Sequence, residues 1–462
     1  MAKKTLIRCG WLITLDKAAG ELRDAEVLVE GDRIAAVGRS LGAAADETVD
    51  ARDRIVMPGL VNAHIHLWQA GLRGIGSEWI STDYHRYMHG NLATRYTARD
   101  TYLGNLYGAL CQLDRGVTTA LDWCHNLRDL EMAEAAVDGL EASGIRAVFA
   151  HGTAKPPTLP DGVPFTHIPH PRDRVEALRK GRLAGDDRLV TLALAILGPE
   201  FGTWDVTLAD MTMARELGLL SSAHVWHGYN RSLGEGTVKD GYARLAARGL
   251  LGPDHNVVHG NYLGDDVLKV LVDNGVSVTS TVLTEIHGHG AEPLAARVRD
   301  LGAMPSIGID TIPIVTDDMW AEMRGALVLI RYRDHQNNRA GGGGPLPEIP
   351  VTSREALEWA TIGGARALGL EGRIGQVTPG FKADLIALGA HDLNLFPVHD
   401  PVYSVAEQAG CANVRDVMVG GEFRKRDGRL LYSEDALRTL QTELAASAER
   451  IMAESDYRVA AH

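Results

Sequence analysis

Cysteine is scarce: only Cys9, Cys111, Cys124 and Cys411 occur in 462 residues, widely scattered and with no C-x-x-C pair. That excludes a disulfide scaffold and a cysteine-rich zinc module. No uninterrupted apolar run reaches the roughly 18 residues a membrane span needs, so no membrane association is expected. Positive charge is in deficit, with 47 Lys plus Arg against 60 Asp plus Glu and a net charge of −13. So acidic a chain is a poor partner for nucleic-acid phosphates or anionic membranes. The first twenty residues start basic but lack an apolar h-region and alternate like a strand. No signal peptide is expected, and a soluble, cytoplasmic protein is. No G-x-G-x-x-G follows an early strand, which removes the usual support for a doubly wound open sheet. There is no internal repeat.

What is present is ordinary for a globular protein: 45% hydrophobic and 23% charged residues, enough to exclude wholesale disorder. The length suits two or three domains, or one large barrel with an appendage. Both ends of the chain read as β structure. Thr5 to Leu15 is rich in Ile, Leu and Trp, and Glu26 to Val37 reads as strand, Gly-Asp turn, strand. Lys382 to Leu388 and Val414 to Leu431 carry the same signal, with a turn at Gly420-Gly421. Two such ends can form one small domain around a central insertion. In between, apolar β-branched runs alternate with helix-like segments such as Asp129 to Ser143 and Asp266 to Asn274. The runs are Ile55–Leu67, Val117–Trp123, Arg146–His151, Val190–Leu197, Leu219–Trp226, Asn256–Leu263, Val276–Thr281 and Pro305–Asp310. Eight strands alternating with helices fit an α/β fold, a (β/α)₈ TIM barrel. The expected division is 1–56 and 369–432 for the end domain, 57–368 for the barrel, and 433–462 for an amphipathic C-terminal helix that packs on the body or on a partner subunit. A homodimer is expected. The four-glycine run Gly341 to Gly344 reads as a surface loop.

The strongest chemical signal is Pro58-Gly-Leu-Val-Asn-Ala-His64-Ile-His66. A Pro-Gly turn feeds an apolar strand that ends in His-x-His. Residues i and i+2 of a strand share a face, so both imidazoles project together at the C-terminal end of a strand, where barrel active sites lie. Two imidazoles so placed suit a borderline metal such as zinc. More metal-type residues sit at the ends of later expected strands: His224 on the fifth, His259 on the sixth and Asp310 on the eighth. One polar strand end is commonplace at a barrel mouth; four in the right order are not.

These segments resemble the amidohydrolase superfamily, within it the branch of cytosine-deaminase-like, atrazine-chlorohydrolase-like and imidazolonepropionase-like enzymes. PGLVNAHIHLWQAGLRG, GVTTALD, SSAHVW, VVHGNYL, SIGIDT and GQVTPGFKADLIAL match its landmarks in order, over nearly the whole chain. The resemblance implies a distorted (β/α)₈ barrel with a β-sandwich built from both ends. It implies one divalent metal held by His64, His66, His224 and Asp310, with His259 orienting the water or the substrate. No lysine occupies Val190 to Leu197, so a carboxylated-lysine bridge between two metals is not expected. Three histidines and one carboxylate leave a position open for water and lower its pKa toward neutrality. Asp310 can accept that water's proton. Zinc is the expected ion; iron or manganese share the same ligand preferences.

The sequence departs from the resemblance at one point. Deaminases of this group usually carry a glutamate three residues after the strand-five histidine; here the residue is His227. Imidazole can donate a proton near pH 7 but cannot reproduce a carboxylate's paired contact with a ring edge. His227 is therefore a candidate acid of altered character, or a packing residue, and slow or absent turnover of cytosine, guanine and adenosine is expected. Trp68, Gln69, Trp226 and Tyr262 follow the strand-end residues and are candidate substrate contacts for a planar ligand. Glu285, with His287 and His289, follows the seventh strand and is a further candidate contact, as are Glu200 and His125 after strands four and two. Cys124 and His125 are neighbours on a strand and face opposite ways, which argues against a nucleophilic pair. The reading is a metal-dependent hydrolase acting on a C–N bond of a small cyclic or aromatic substrate. Its rivals are a dechlorinase or an imine-forming cyclodehydratase on the same site, and a non-catalytic barrel acting in binding.

Overall fold

The computed structural model describes residues 2–155, 162–225 and 238–459. The chain begins with β1 (Lys4–Ile13), β2 (Glu21–Glu30), β3 (Arg33–Gly38) and β4 (Glu47–Pro58). Ala25, Val27 and Val29 of β2 are buried while the residues between them are not, the period-two pattern of a half-covered sheet. β1 pairs antiparallel with β2 and parallel with β4.

The eight strands that follow are parallel neighbours: β5 (Leu60–Ile65), β6 (Val117–Leu127), β7 (Arg146–Thr153), β8 (Val190–Ile196), β9 (Leu220–Val225), β10 (His255–His259), β11 (Ser277–Ser280) and β12 (Ser306–Ile307). An Ile65–Asp310 bridge joins first to last and closes the barrel. Ile309 N donates to His64 O at 2.9 Å and His66 N to Asp310 O at 3.0 Å across this seam. The strands are buried almost throughout, as helices on the outer face require. The helices between them start on polar caps. Asp129 accepts from Met132 N at 2.8 Å to start Leu130–Ser143, and Gly144 ends that helix at φ +75.

The expected run Ile55–Leu67 is divided in two. Ile55 to Pro58 completes β4 in the end sheet, and the barrel strand begins only at Leu60. Gly59 makes the break: a Cβ there would lie 2.1 Å from Thr118 Oγ1, so no side chain fits. The last two expected strands shorten to four and two residues.

The chain then returns to the first sheet through β13 (Leu385–Gly389), β14 (Val414–Val419), β15 (Glu422–Arg426) and β16 (Arg429–Leu430), in the order β16-β15-β14-β13-β4-β1-β2-β3. This sheet folds over on itself. Ile34 N bonds to Phe381 O at 2.9 Å and Gly421 N to Ala383 O at 3.1 Å, enclosing a separate core that includes Val27, Val29, Ile34, Leu385 and Met418. A buried bidentate pair, Arg146 Nε to Asp384 Oδ2 at 2.6 Å and Nη2 to Oδ1 at 3.0 Å, ties it to β7 of the barrel. The tail forms the helix Glu434–Glu454, whose Leu440 and Leu444 pack on Leu103, Leu106 and Leu110 of the helix Ala98–Asp114. Gly341 to Gly344 is an exposed loop. Among the described residues no helix is long and apolar enough to cross a membrane.

Candidate metal centre

His64 and His66 lie at the end of β5, His224 on β9 and Asp310 just past β12. All four are buried, and each offers one ligand atom within 4.8 Å of the others. Asp310 Oδ1 is 3.2 Å from His64 Nε2 and 3.0 Å from His66 Nε2, and His224 Nε2 is 3.2 Å from His64 Nε2. The carbonyl of Trp123 lies 2.7 Å from His66 Nδ1. A carbonyl only accepts, so His66 donates there through Nδ1 and turns Nε2 toward the cluster. Nε2 faces a carboxylate oxygen at contact distance, and the Nε2 atoms of His64 and His224 stand beside it. One nitrogen of each imidazole and a carboxylate oxygen thus converge on one buried point. The donor set, three imidazole nitrogens and one carboxylate, fits a borderline divalent cation.

The electrostatics agree. Burial pulls His64 down to about 4, against the opposing pull of Asp310, and holds His224 well below its ordinary value. Both are neutral lone-pair donors near pH 7. For Asp310, burial pushes upward, but the facing imidazoles of His64, His66 and His259 outweigh it and keep the carboxylate ionised.

His259 Nε2 stands 3.9 Å from Asp310 Oδ2, and its Nδ1 lies 3.1 Å from Thr281 Oγ1. His259 and Asp310 both have left-handed backbones, at φ +66 and +74. Outside glycine such a conformation costs of order 1–3 kcal/mol and persists where the surroundings hold it, commonly at functional sites.

The cavity beside this cluster is lined by His66, His224, His259 and Asp310, and also by His125 and His289. Ser81, Tyr84, His85, His89, Lys155, Phe201 and Thr311 complete much of its wall, and none of these was singled out from the sequence. His85 and His89 stand four apart on the turn Tyr84–His89, a helical spacing that the sequence did display.

The candidate substrate contacts divide. Trp68 is fully buried behind the wall, its Nε1 donating to His125 Nδ1 at 3.2 Å. Gln69 is equally buried and bridges Tyr84 OH at 2.6 Å and Thr311 Oγ1 at 3.0 Å, supporting two residues that line the cavity without lining it itself. Glu285 is also outside the lining. It accepts from Ser280 Oγ at 2.7 Å, Thr281 N at 2.8 Å and Leu294 N at 3.0 Å, with His259 Nδ1 4.0 Å from its Oε1. Burial pushes its carboxyl upward. Tyr262 is 45% exposed, and its hydroxyl donates to the carbonyl of His289. Glu200 is buried outside the lining, and His287 Nε2 reaches Trp79 O at 3.0 Å. Trp226 and His227 lie outside the described residues.

Comparison with known proteins gives a consistent picture. Residues 55–424 match the sequence model of the amidohydrolase family. A 5′-deoxyadenosine deaminase of Methanosarcina barkeri is 26% identical over 440 residues, covering 93% of this chain and 94% of that protein. A 5-methylthioadenosine/S-adenosylhomocysteine deaminase of Halobacterium salinarum is 29% identical over 444 residues, covering 92% and 94%. Among solved structures, an adenosine deaminase from Xanthomonas campestris with bound zinc superposes with a TM-score of 0.80 at 22% identity, covering 98% and 99%. The zinc complex of an atrazine chlorohydrolase from Arthrobacter aurescens gives 0.78 at 21%, covering 96% and 100%. At these identities the structural likeness speaks for the fold.

Proposed function

Because the chain belongs to the amidohydrolase family, we propose that it is a mononuclear metal-dependent hydrolase that attacks a C–N bond of a small cyclic or aromatic substrate with water. The observation that carries this reading is the buried cluster of His64, His66, His224 and Asp310, whose ligand atoms converge within 4.8 Å of one another. These four residues would hold the ion, for which we propose zinc. A bound divalent cation supplies Lewis acidity, which makes water nucleophilic near neutral pH.

The protein's own groups do the rest. Asp310 is ionised and able to take the attacking water's proton on a carboxylate oxygen, a general-base role. Thr281 can donate its hydroxyl proton to His259 Nδ1, which leaves Nε2–H pointed toward Asp310 and the cavity. From there it can donate to a substrate atom as negative charge develops. Glu285 holds Thr281 through the backbone N–H, and so positions His259 from outside the cavity. Trp123 fixes His66 through its carbonyl.

The relatives named as deaminases of adenine nucleosides favour an amino-substituted heterocycle as substrate. His227 favours the second reading, a different leaving group, because it stands three residues after His224 where a carboxylic acid would serve a ring nitrogen better. The test compares wild type with His227→Glu on cytosine, guanine, adenosine and 5′-deoxyadenosine, and on cyclic amides. Rates on the aminoazines that are low in wild type and at least about 10²-fold higher in the variant assign His227 to substrate choice. Efficient wild-type deamination, unimproved by the glutamate, makes His227 a packing residue and the protein a deaminase of the ordinary kind.

A further inference from the structure

Lys155 lies just beyond β7 and is only 8% exposed. Its Nζ is 4.9 Å from the ring centre of Trp123 and 5.0 Å from that of Phe201. The other side of this arrangement is the metal centre, since the Trp123 ring packs on His224 at 4.1 Å between centroids. Among the described residues Lys155 has no hydrogen-bond or ion-pair partner. A buried ammonium without a carboxylate is costly, and a lysine left so is commonly functional. Burial alone pulls it down to about 7, with no anion opposing; a bound anion would restore its charge.

Lys155 and His89 line both the metal cavity and a second chamber of about 580 Å³ that opens beside it. That chamber is walled partly by apolar groups such as Phe165 and Ile168, and it also presents Arg128 and Arg174. Arg128 is anchored on the backbone carbonyls of Thr94 (3.1 Å) and Tyr96. No carboxylate occurs among the chamber's described lining residues, in a protein whose net charge is −13. Three cations around a partly apolar space are what an anionic arm would need.

We propose that Lys155, with Arg128 and Arg174 behind it, forms an anion-binding subsite, and that the substrate joins a small cyclic head at the metal centre to an arm ending in a carboxylate or a phosphate. The proposal rests on the C–N hydrolase reading above. The rings of Trp123 and Phe201 hold the ammonium at the junction, so that Lys155 fixes how far the head enters. Neutral analogues with the same head bind less tightly, because the buried cation then stays unpaired.

The test uses the full-length, zinc-loaded protein and three nucleosides that differ only at the 5′ end: adenosine, adenosine 5′-carboxylate and adenosine 5′-monophosphate. Ammonia release is measured for wild type, Lys155→Met, Lys155→Arg and Arg174→Gln. One acid-bearing member should exceed adenosine in kcat/KM by at least about 10-fold, the scale of a charge-assisted hydrogen bond, and which one leads separates carboxylate from phosphate. In Lys155→Met that preference should collapse mainly through KM, and Lys155→Arg should retain part of it. A wild-type preference for adenosine, or equal losses on all three substrates in Lys155→Met, overturns the proposal and leaves the hydrolase reading standing. If no nucleoside is turned over, calorimetric titration of metal-free protein with succinate and with inorganic phosphate decides. Binding lost in Lys155→Met and weakened in Arg174→Gln upholds the subsite, whereas no binding, or equal binding in all variants, overturns it. Should Lys155→Met fail to fold, the Lys155→Arg and Arg174→Gln arms carry the same comparison.

Discussion

In the proposed reaction Asp310 carries two duties on one side chain, as a metal ligand beside three imidazoles and as the proton acceptor. Asp310→Asn keeps the volume and removes the charge. The fold should survive, metal content should fall only partly, and kcat should drop by about 10²–10⁴-fold or more. Circular dichroism, elemental analysis and steady-state kinetics on one preparation check all three. Near-normal turnover would move the base elsewhere. Glu285→Gln should act more mildly, lowering kcat by about 10-fold with KM little changed, as expected of a group that works through Thr281 and His259. At this scale the sequence was legible where strand geometry rules: His64 and His66 share a face because they stand two positions apart, with Ile65 between them. It was illegible just beyond. The strand stops at Ile65 and the chain turns into a 3-10 helix over Leu67–Leu72, so Trp68 and Gln69 are carried behind the wall. His85, His89 and Lys155 escaped notice because they stand on a helical turn and a loop, far in sequence from any ligand.

The closing seam between β5 and β12 is the element on which the centre depends. β12 has only two residues, so side chains finish what the ladder leaves. Asn62 Oδ1 accepts from Ile309 N at 3.2 Å and from His64 N at 3.3 Å, and Gln112 holds its amide at 3.0 Å. Gly308 lets the strands meet: a Cβ there would lie 2.6 Å from His64 N and 2.8 Å from His64 O. Gly308→Ala should therefore push β5 outward, destabilise the protein by about 1–3 kcal/mol and weaken metal binding. Chemical denaturation and competition with a chelator measure the two effects; an unchanged metal affinity would show that His64 is held by other means. The alternation of strands and helices made the barrel legible, while the division at Gly59 was not, because Ile55 to Leu67 is apolar across the break and only the contact with Thr118 reveals it.

Across the whole molecule, two layers of work are separated. The folded end sheet has its own core and contributes none of the described residues that line the cavity beside the histidine cluster. One link to the barrel, beside apolar packing of Ile386 and Val414, is the buried Arg146–Asp384 pair, and Asp384→Asn removes the carboxylate that Arg146 bonds to. A loss of about 3–5 kcal/mol in stability is expected, with kcat and KM retained at temperatures where the variant is folded. A shifted denaturation midpoint beside unaltered kinetics would support a structural role for this sheet, and altered kinetics would bring it into the site. The pairing of both chain ends was legible in their composition, but the order in which the strands join was not, since pairing between distant segments leaves no local pattern. For the proposed single metal held by His64, His66, His224 and Asp310, the decisive measurement is elemental analysis of purified protein alongside turnover. One equivalent of a divalent ion per chain is predicted, with activity lost on chelation and regained in proportion to the ion restored. Two equivalents at full occupancy, or an active preparation with none, would contradict it.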